Sequence, residues 1–458
     1  MNTSFFGEML NSITERGRAL LDRTRDRRDV AAARSESLVD LCEELLSGRG
    51  EASGVALAGE ILEKYADLTT GPRIAFFEAL ATRFGPDREA LDAAIKAWQA
   101  EPTDATAADV HTSAEARRQE LLRRLNLAPG GTAALVRMRE QLLDALGHRK
   151  EDLAAVDADF VHLFSSWFNR GFLVLRRIDW STPAMILEKI ISYEAVHEIA
   201  SWEDLRRRID PPDRRCFAFF HPALVDEPLI FVEVALTRDI PDAVAPILAN
   251  HHDAVAADKT KVAVFYSISN CQRGLAGVSF GNFLIKQVVE EISRENSRLQ
   301  TYVTLSPAPD FARWLDRERK TENSKVLSAE DCEALKGLDQ PDWWRQPASN
   351  EALKEPFLRA AAWYYLNARN RRGLPVDSVA RFHLGNGARL ERLNWLGDVT
   401  EKGLDQAYGL MVNYLYDLEH IEKNHEAYAE GRRVVASNAV RRHLRGAAPV
   451  TDLVPAVG

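Results

Sequence analysis

The sequence predicts an α+β protein in which an all-α helical N-terminal domain, 1–170, precedes an α/β domain, 171–458. Two observations support this fold class. Apolar residues recur at three- and four-residue spacing over the first third of the chain, where alternation of β-branched residues is almost absent. Beyond residue 170, short runs rich in Val, Ile, Phe and Tyr alternate with amphipathic helical segments.

The composition excludes several classes of protein. The 458 residues are 46% hydrophobic and 28% charged, which is typical of an ordinary globular protein. At about 150 residues per domain, this length suits two or three domains. A net charge of −9 lacks the basic footprint of a nucleic-acid-binding protein. No apolar run approaches the roughly 18–20 residues of a membrane-spanning helix. We therefore expect no nucleic-acid partner and no membrane association.

Targeting signals and cysteine spacing bear on location. The first residues, MNTSFFGEML, lack the basic flank and apolar core of a signal peptide, and the final PAVG is not a lipidation signal. The four cysteines (42, 216, 271 and 332) show neither a CxxC pair nor disulfide-like spacing. These features predict a soluble, cytoplasmic protein with reduced cysteines.

The N-terminal region is expected to form successive helices separated by short polar or glycine-containing breaks. Their predicted bounds are Phe5–Arg25, Leu38–Leu46, Gly54–Leu68, Arg73–Phe84, Arg88–Glu101, Ser113–Leu125, Gly131–Leu146 and Val156–Trp167. Abundant alanine favours helix over this whole region.

The second region combines strands and helices. Its predicted strands are Cys216–Phe220, Leu229–Thr237, Lys261–Ser269 and Leu299–Leu305. The amphipathic helix Val278–Ser293 lies between the last two, so these two strands are predicted to run parallel in one sheet. Residues 316–352 are polar and predict a loop-like insertion. Further helices are predicted at Glu351–Asn367, Ser378–Leu384, Lys402–Tyr416 and Ala427–Leu444.

The most informative segment joins the third predicted strand to the amphipathic helix. It reads SISNCQRGLAGVSFGNFLIK (267–286), with glycines at 274, 277 and 281. Glycine permits close backbone approach and positive φ, and a helix N-terminus presents unpaired N–H groups to an anion. The segment matches neither the Walker A loop nor the GxGxxG fingerprint. It suits a pyrophosphate, although a purely structural turn explains the same glycines.

Ser306 and His383 are the candidates for chemistry. Ser306 lies at the carboxyl end of the fourth predicted strand, where ligands of open α/β sheets bind. His383 ends a short helix before a Gly-Asn-Gly turn. Each also has a structural interpretation, because serine before proline often turns the chain and a lone histidine is usually structural. No HExxH motif or Cys/His ligand set predicts a metal, and the GxSxG nucleophile motif is absent.

Taken together, these segments resemble the malonyl-CoA decarboxylase family. The matching blocks are EPLIFVEVALT (227–237), FYSIS (265–269), QRGLAGVSFGNFLIK (272–286), LSPAPDF (305–311), FHLGNGA (382–388) and GLMVNY (409–414). Several long, ordered and unrelated blocks make the resemblance specific over the second region. The helical region matches mainly in helical character and in WFNRGF (167–172).

The resemblance implies a catalytic domain of the GNAT (N-acetyltransferase superfamily) fold and a helical domain that mediates oligomer contacts, as a dimer or tetramer. It also implies conversion of malonyl-CoA to acetyl-CoA and CO2 through a thioester enolate, without a cofactor. The family's catalytic serine, described as a proton acceptor, carries over onto Ser306, and its catalytic histidine carries over onto His383. Beyond the resemblance, we predict that Ser306 orients the malonyl group and that His383, with an unperturbed pKa near 6.5, donates the proton at neutral pH. The substrate-binding residues that carry over are Ala276, Gly277, Val278, Ser279, Phe280, Gly281, Asn282, Ser306 and His383.

Two features depart from the family pattern. Asp310 stands where relatives commonly have glycine, and the chain lacks the C-terminal peroxisomal tripeptide of animal relatives. The second departure is expected of a bacterial cytoplasmic enzyme. Two other functions remain open on the same fold. One is a CoA-dependent N-acyltransferase, which needs an acceptor amine, and the other is a non-catalytic malonyl-CoA sensor.

Overall fold

The computed structural model describes residues 37–47, 50–251, 253–278, 284–322 and 324–444. The predicted helix Phe5–Arg25 lies outside these residues. The chain divides into two compact units. The helical unit takes the chain up to Val174, together with Phe220–Leu229 and a segment that begins at Gln272. The sheet unit takes Leu175–Phe219, Ile230–Cys271 and the described chain from Leu284 onward.

The helical unit confirms the predicted helical character of the N-terminal region. Its described helices are α1 (Leu38–Leu46), α2 (Glu51–Ala66), α3 (Thr70–Thr82), α4 (Arg88–Ala100), α5 (Asp104–Ala114), α6 (Arg117–Asn126) and α7 (Gly131–Trp167). The predicted helix Ser113–Leu125 is wrong, because the chain is extended at Glu115 and Ala116, between α5 and α6. The first N–H groups of α6 donate instead to carbonyl oxygens outside the helix. Arg118 N–H donates to Phe84 at 2.9 Å, and Arg117 N–H donates to Gly85 at 3.2 Å.

Helix α7 runs through a stretch where the sequence predicts two helices, Gly131–Leu146 and Val156–Trp167. The helix is nevertheless not straight. Arg139 Nε lies 2.8 Å from Asp157 Oδ1 across a sequence separation of 18 residues. At 1.5 Å per residue, a straight helix would hold those residues about 27 Å apart. The axis of α7 therefore turns back on itself between them, and the predicted break falls within this bend.

A mixed sheet forms the centre of the sheet unit. Its described strands are β1 (Val174–Ile178), β2 (Arg214–Phe220), β3 (Pro228–Thr237), β4 (Val262–Asn270), β5 (Thr301–Thr304), β6 (Ser306–Pro307), β7 (Arg389–Asn394) and β8 (Met411–Leu415). The order across the sheet is β1-β2-β3-β4-β5-β8-β6, and β7 also pairs with β8. Strands β2 to β5 correspond to the four predicted strands. The predicted parallel pairing of β4 with β5 is confirmed.

Helices cover the rest of the sheet unit. In the described chain they are α8 (Ala184–Tyr193), α9 (Trp202–Ile209), α10 (Ala245–Leu248), α11 (Leu284–Glu295), α12 (Phe311–Arg319), α13 (Ala329–Leu335), α14 (Pro347–Asn367), α15 (Ser378–Gly385), α16 (Glu401–Ala407), α17 (Ile421–Gly431) and α18 (Asn438–Arg442). No helix among the described residues combines the length and hydrophobicity that a membrane crossing requires.

The predicted loop at 316–352 is wrong. Helix α12 extends into this stretch, α13 lies within it, and α14 begins at Pro347. The apolar residues that anchor this stretch, Leu327, Leu335, Leu338 and Trp343, are buried. Because they are widely spaced among charged residues, the sequence shows little periodicity here.

Two predicted C-terminal helices also need correction. The stretch Lys402–Tyr416 forms α16 and then strand β8, because Tyr408 and Gly409 both adopt positive φ and end the helix. The stretch Ala427–Leu444 is divided at Arg432, which also has positive φ. The chain then runs extended beside β7, where Leu390 N–H donates to the Val435 carbonyl oxygen at 2.9 Å, before α18 begins.

The Gly-Asn-Gly segment spans the C-terminal end of α15, and its two glycines have different environments. Gly387 has φ +81°, and a side chain there would overlap the carbonyl oxygen of Ile421. Gly385 lies within the helix, and a Cβ there would meet only a Tyr428 ring carbon at 3.8 Å. Only the second glycine of the turn is therefore required by the backbone.

We predict that Gly387→Ala lowers the free energy of unfolding by about 1–3 kcal/mol, because it adds left-handed strain and a backbone overlap. The control Gly385→Ala should be neutral or slightly stabilising, because alanine is the better helix former. Urea unfolding of both variants measures the difference. Equal effects of the two substitutions would contradict this account of the turn.

Candidate active site

Strands β4 and β5 run side by side over a short distance and then separate. Val262–Phe265 pair with Thr301–Thr304. Beyond this point β4 continues to Asn270 against β3, whereas the chain of β5 turns into β6 and pairs with β8. A β-bulge at Tyr266 coincides with the separation, because the β3–β4 register shifts there by one residue. Bulges are frequent beside active sites, where they redirect a strand.

Ser306 begins β6, at the point where the two strands part. Its Oγ lies 3.0 Å from Nε2 of His383, although 77 residues separate the two in sequence. Both side chains are buried, with 5% of Ser306 and 2% of His383 exposed. The structure therefore brings together the two side chains that the sequence identifies as candidates for chemistry.

Two further side chains extend this contact into a chain of hydrogen bonds. Ser306 Oγ donates to Thr304 Oγ1 at 2.9 Å, and His383 Nδ1 lies 2.8 Å from the Tyr416 hydroxyl. The imidazole also stacks on the Tyr414 ring, with centroids 4.5 Å apart and planes at 27°. If Ser306 donates to Thr304, its Oγ accepts from Nε2–H. The Nδ1 atom then accepts the Tyr416 hydroxyl proton.

Burial determines the charge of the histidine. It lowers the pKa of His383 to about 3, because the desolvated imidazolium is disfavoured. The ring is therefore neutral near pH 7 in the free protein. This corrects the sequence-based assumption that His383 has an ordinary pKa near 6.5.

Sequence reasoning missed the partners Thr304, Tyr414 and Tyr416. Thr304 and Ser306 are two residues apart and share a face, as do Tyr414 and Tyr416. This alternation was readable, but the prediction of helix through Tyr416 concealed it. Strand β8 is fixed beside β5 by Asn413, whose Nδ2 donates to the Thr304 carbonyl oxygen at 2.9 Å.

The glycine turn lies in the helical unit, as far as it is described. Ala276, Gly277 and Val278 belong to it, whereas Ser279, Phe280, Gly281 and Asn282 lie outside the described residues. Gly277 has φ +78°, as the sequence analysis expects of a glycine turn. Gly274 packs so closely on α7 that a side chain would overlap the Val136 carbonyl oxygen.

Metal binding finds no support in side-chain clustering. Within the described ranges, no group of three or more His, Cys, Asp or Glu residues is placed to hold a metal ion.

Comparison with known proteins gives two matching family models and several relatives. The model "Malonyl-CoA decarboxylase C-terminal domain" matches residues 171–453, and "Malonyl-CoA decarboxylase N-terminal domain" matches residues 84–168. The mitochondrial malonyl-CoA decarboxylase of Anser anser anser is 36% identical over 347 residues, which cover 71% of this chain and 68% of the relative. The Rattus norvegicus enzyme is 35% identical over 347 residues, covering 71% and 70%.

Solved structures agree with these matches. The malonyl-CoA decarboxylase of Rhodopseudomonas palustris is 58% identical with a TM-score of 0.85, covering 88% of this chain and 98% of that one. The Agrobacterium vitis enzyme is 57% identical with a TM-score of 0.85, covering 89% and 99%.

The helical region followed by the mixed sheet defines the class of the molecule, an α+β protein. The two family models span most of the chain, and the curated relatives exceed 30% identity over two thirds of their length. The chain belongs to the malonyl-CoA decarboxylase family and is therefore a carboxy-lyase.

Asp377 links the stability of the site to pH. It caps α15, the helix that carries His383, by accepting a hydrogen bond from Ala380 N–H at 2.7 Å. The residue is 1% exposed, and its Oδ2 has no hydrogen-bond partner among the described residues. Burial raises the pKa of Asp377 to about 7, and the nearby Asp310 carboxylate adds to the rise.

We predict that Asp377→Asn raises the melting temperature more at about pH 8 than at about pH 5. The carboxyl pKa is higher in the folded state than in the unfolded state, so the cost of burying Asp377 grows as pH rises towards about 7. Asparagine keeps the cap without the charge. Asp87→Asn, at the exposed cap of α4, controls for the exchange of a capping residue. Equal gains for Asp377→Asn at both pH values would contradict the prediction.

Proposed function

We propose that this chain decarboxylates malonyl-CoA to acetyl-CoA and CO2 through a thioester enolate. The observation that carries the proposal is the buried 3.0 Å contact between Ser306 Oγ and His383 Nε2 at the point where β4 and β5 part. The substrate class is supported by the relatives described above, which are malonyl-CoA decarboxylases.

The reaction needs no electron-accepting cofactor. When the bond to the carboxylate breaks, its electron pair moves into the thioester carbonyl and forms the enolate. The protein must hold the carboxylate perpendicular to the carbonyl plane, stabilise the developing oxyanion and protonate the α-carbon. Backbone N–H groups can stabilise the oxyanion, at about 3 kcal/mol for each donor. We place the thioester beside the bulge at Tyr266, where β4 leaves β5.

Ser306 orients the malonyl carboxylate in this proposal. Its hydroxyl is held between His383 Nε2 and Thr304 Oγ1, so its position is set before the substrate arrives. The family resemblance describes this serine as the proton acceptor. A serine hydroxyl has one proton, so on substrate binding it turns from Thr304 Oγ1 towards the malonyl carboxylate, which only accepts hydrogen bonds.

His383 protonates the α-carbon. Its ring is neutral in the free protein, so the proton comes from Nε2–H, and neutral imidazole serves as an electrophile in other enzymes. Loss of that proton to the enolate would leave an anionic ring. The Tyr416 hydroxyl, 2.8 Å from Nδ1, stabilises that ring by donating a hydrogen bond. Burial raises the pKa of Tyr416 well above its ordinary value, so the tyrosine keeps its own proton. Each turnover consumes one proton, which solvent returns to His383 Nε2 after the product leaves.

The glycine turn binds the CoA pyrophosphate in this proposal. The residues concerned are Ala276, Gly277, Val278, Ser279, Phe280, Gly281 and Asn282. The positive φ of Gly277 supports this assignment, because such conformations present backbone N–H groups to anions. Catalysis is then assigned to a GNAT-like domain, 171–458.

Oligomer contacts through the helical domain, 1–170, remain part of the proposal. Light scattering coupled to size exclusion tests it, with a dimer or tetramer expected and a monomer contradicting it. The cytoplasmic location remains a prediction from the cysteines, which form no disulfide among the described residues.

The test of the function is incubation of the purified protein with malonyl-CoA alone, with acyl-CoA species followed by mass spectrometry. We expect stoichiometric conversion to acetyl-CoA, with no free CoA and no added cofactor. Release of free CoA that depends on an added amine would indicate an N-acyltransferase instead. Binding of malonyl-CoA without conversion would indicate a sensor.

His383→Asn should lower kcat about 10²–10⁴-fold, because it removes the proton donor. Binding of acetyl-CoA should be nearly unchanged, since asparagine still fills the site. His425→Asn is the matched control, because His425 also bonds to α15, through the Gly385 carbonyl oxygen at 2.7 Å, away from Ser306. Wild-type turnover by His383→Asn would remove His383 from the mechanism.

A further inference from the structure

Arg139, on α7, donates hydrogen bonds to two backbone carbonyl groups of the glycine turn. Its Nη1 donates to the carbonyl oxygens of Gly274 and Ala276, at 2.7 and 2.8 Å. Its Nε is fixed by Asp157, at 2.8 Å, from the returning arm of the same helix. Only 2% of Arg139 is exposed, so these contacts are buried.

Two more contacts join the turn to the same helix. Gly274 packs on the backbone at Val136, where no larger residue fits. Arg273, at the start of the turn, forms ion pairs with Asp144 and Glu140. Helix α7 therefore determines the conformation of the described part of the turn at several points.

The family models assign these partners to different domains. Arg139 lies within the match to the N-terminal domain, 84–168, whereas the turn lies within the match to the C-terminal domain, 171–453. The compact units, by contrast, place both in the helical unit. The contact is therefore built by the region that the sequence associates only with oligomer contacts.

We propose that Arg139 is a positioning residue for the CoA pyrophosphate, an inference that rests on the proposed function of the turn. In a trans peptide unit the carbonyl and the following N–H point in opposite directions. Because Arg139 draws the Ala276 carbonyl oxygen towards itself, the Gly277 N–H points away from the arginine. The N–H groups of Ala276 and Val278 donate to carbonyl oxygens within the turn, at 3.0 Å each. The Gly277 N–H is thus the donor that the turn sets in advance to face an anion, and the guanidinium adds positive potential behind it.

The test replaces Arg139 with lysine, which keeps the charge but cannot bond to Asp157 and two carbonyl groups in the same geometry. Arg118→Lys is the matched control. Arg118 is likewise buried in the helical unit and pairs with Asp159 of α7 at 2.5 Å, but its other contacts are with the backbone of helices. Each variant is assayed with malonyl-CoA and with malonyl-pantetheine, which lacks the pyrophosphate.

We expect Arg139→Lys to raise the KM for malonyl-CoA about tenfold with kcat within about twofold, because binding and not chemistry is disturbed. Its kcat/KM for malonyl-pantetheine should stay at the wild-type value. Arg118→Lys should leave the preference for malonyl-CoA over malonyl-pantetheine unchanged. An equal loss of kcat/KM on both substrates, or the same loss of preference in Arg118→Lys, would overturn the proposal.

Two additions keep the test decisive. If Arg139→Lys does not fold, Asp157→Asn releases the arginine from one side only, and it should raise the same KM by a smaller factor. An unchanged KM in that variant would overturn the proposal.

Calorimetric binding of CoA separates this inference from the proposed reaction. Weaker CoA binding by Arg139→Lys supports the inference even if wild-type protein leaves malonyl-CoA intact, and equal binding by both proteins contradicts it.

Discussion

The arrangement of the sheet unit depends on keeping Ser306 and His383 together and out of water. A buried polar pair is tolerated only when its remaining donors and acceptors find partners. Thr304 and Tyr416 meet that requirement, and they come from strands far apart in sequence. Strand β8 must therefore lie beside both β5 and β6, which explains why the sheet order places it between them. The separation of β5 from β4 follows, because β6 pairs with β8 and not with β4.

The same burial makes the histidine a different chemical group from the one its sequence suggests. A solvated imidazole near pH 7 exchanges protons with water, whereas His383 is neutral and touches little solvent. Its two ring nitrogens face Ser306 and the hydroxyl of Tyr416, which directly follows β8. Burial raises the pKa of Tyr416 as well, so the tyrosine keeps its proton and donates it to the ring in a hydrogen bond. The hydrogen-bond chain thus fixes the orientation of the imidazole and the nitrogen that carries its proton.

Local pattern was sufficient for some elements and misleading for others. Strands β2 to β5 are rich in β-branched and aromatic residues, so their pattern and the parallel pair were predictable. Ser306 and His383 were found from chain position and family resemblance, but no local signal reports their contact. Strand β8 was missed because Leu404, Ala407 and Met411 continue a helical spacing past Tyr408, whose left-handed conformation is imposed by the fold. The bend of α7 was predicted only as a break between two helices, because the contact between Arg139 and Asp157 that reveals it leaves no local sequence pattern.

The glycines of the turn show why sequence left two interpretations open. One was a ligand-binding turn and the other a structural turn. The two described glycines, Gly274 and Gly277, differ in what requires a glycine at each position. Gly274 is required by packing on Val136, whereas Gly277 has open space around it and is required only by its positive φ. Packing of the first holds the turn against α7 without involving the second, so a structural role for Gly274 is compatible with the proposed binding role of Gly277. The boundary between the family domains, near residue 170, is consequently not a physical boundary. A catalytic region separated there from α7 would keep Ser306 and His383 but lose the contacts that shape the turn.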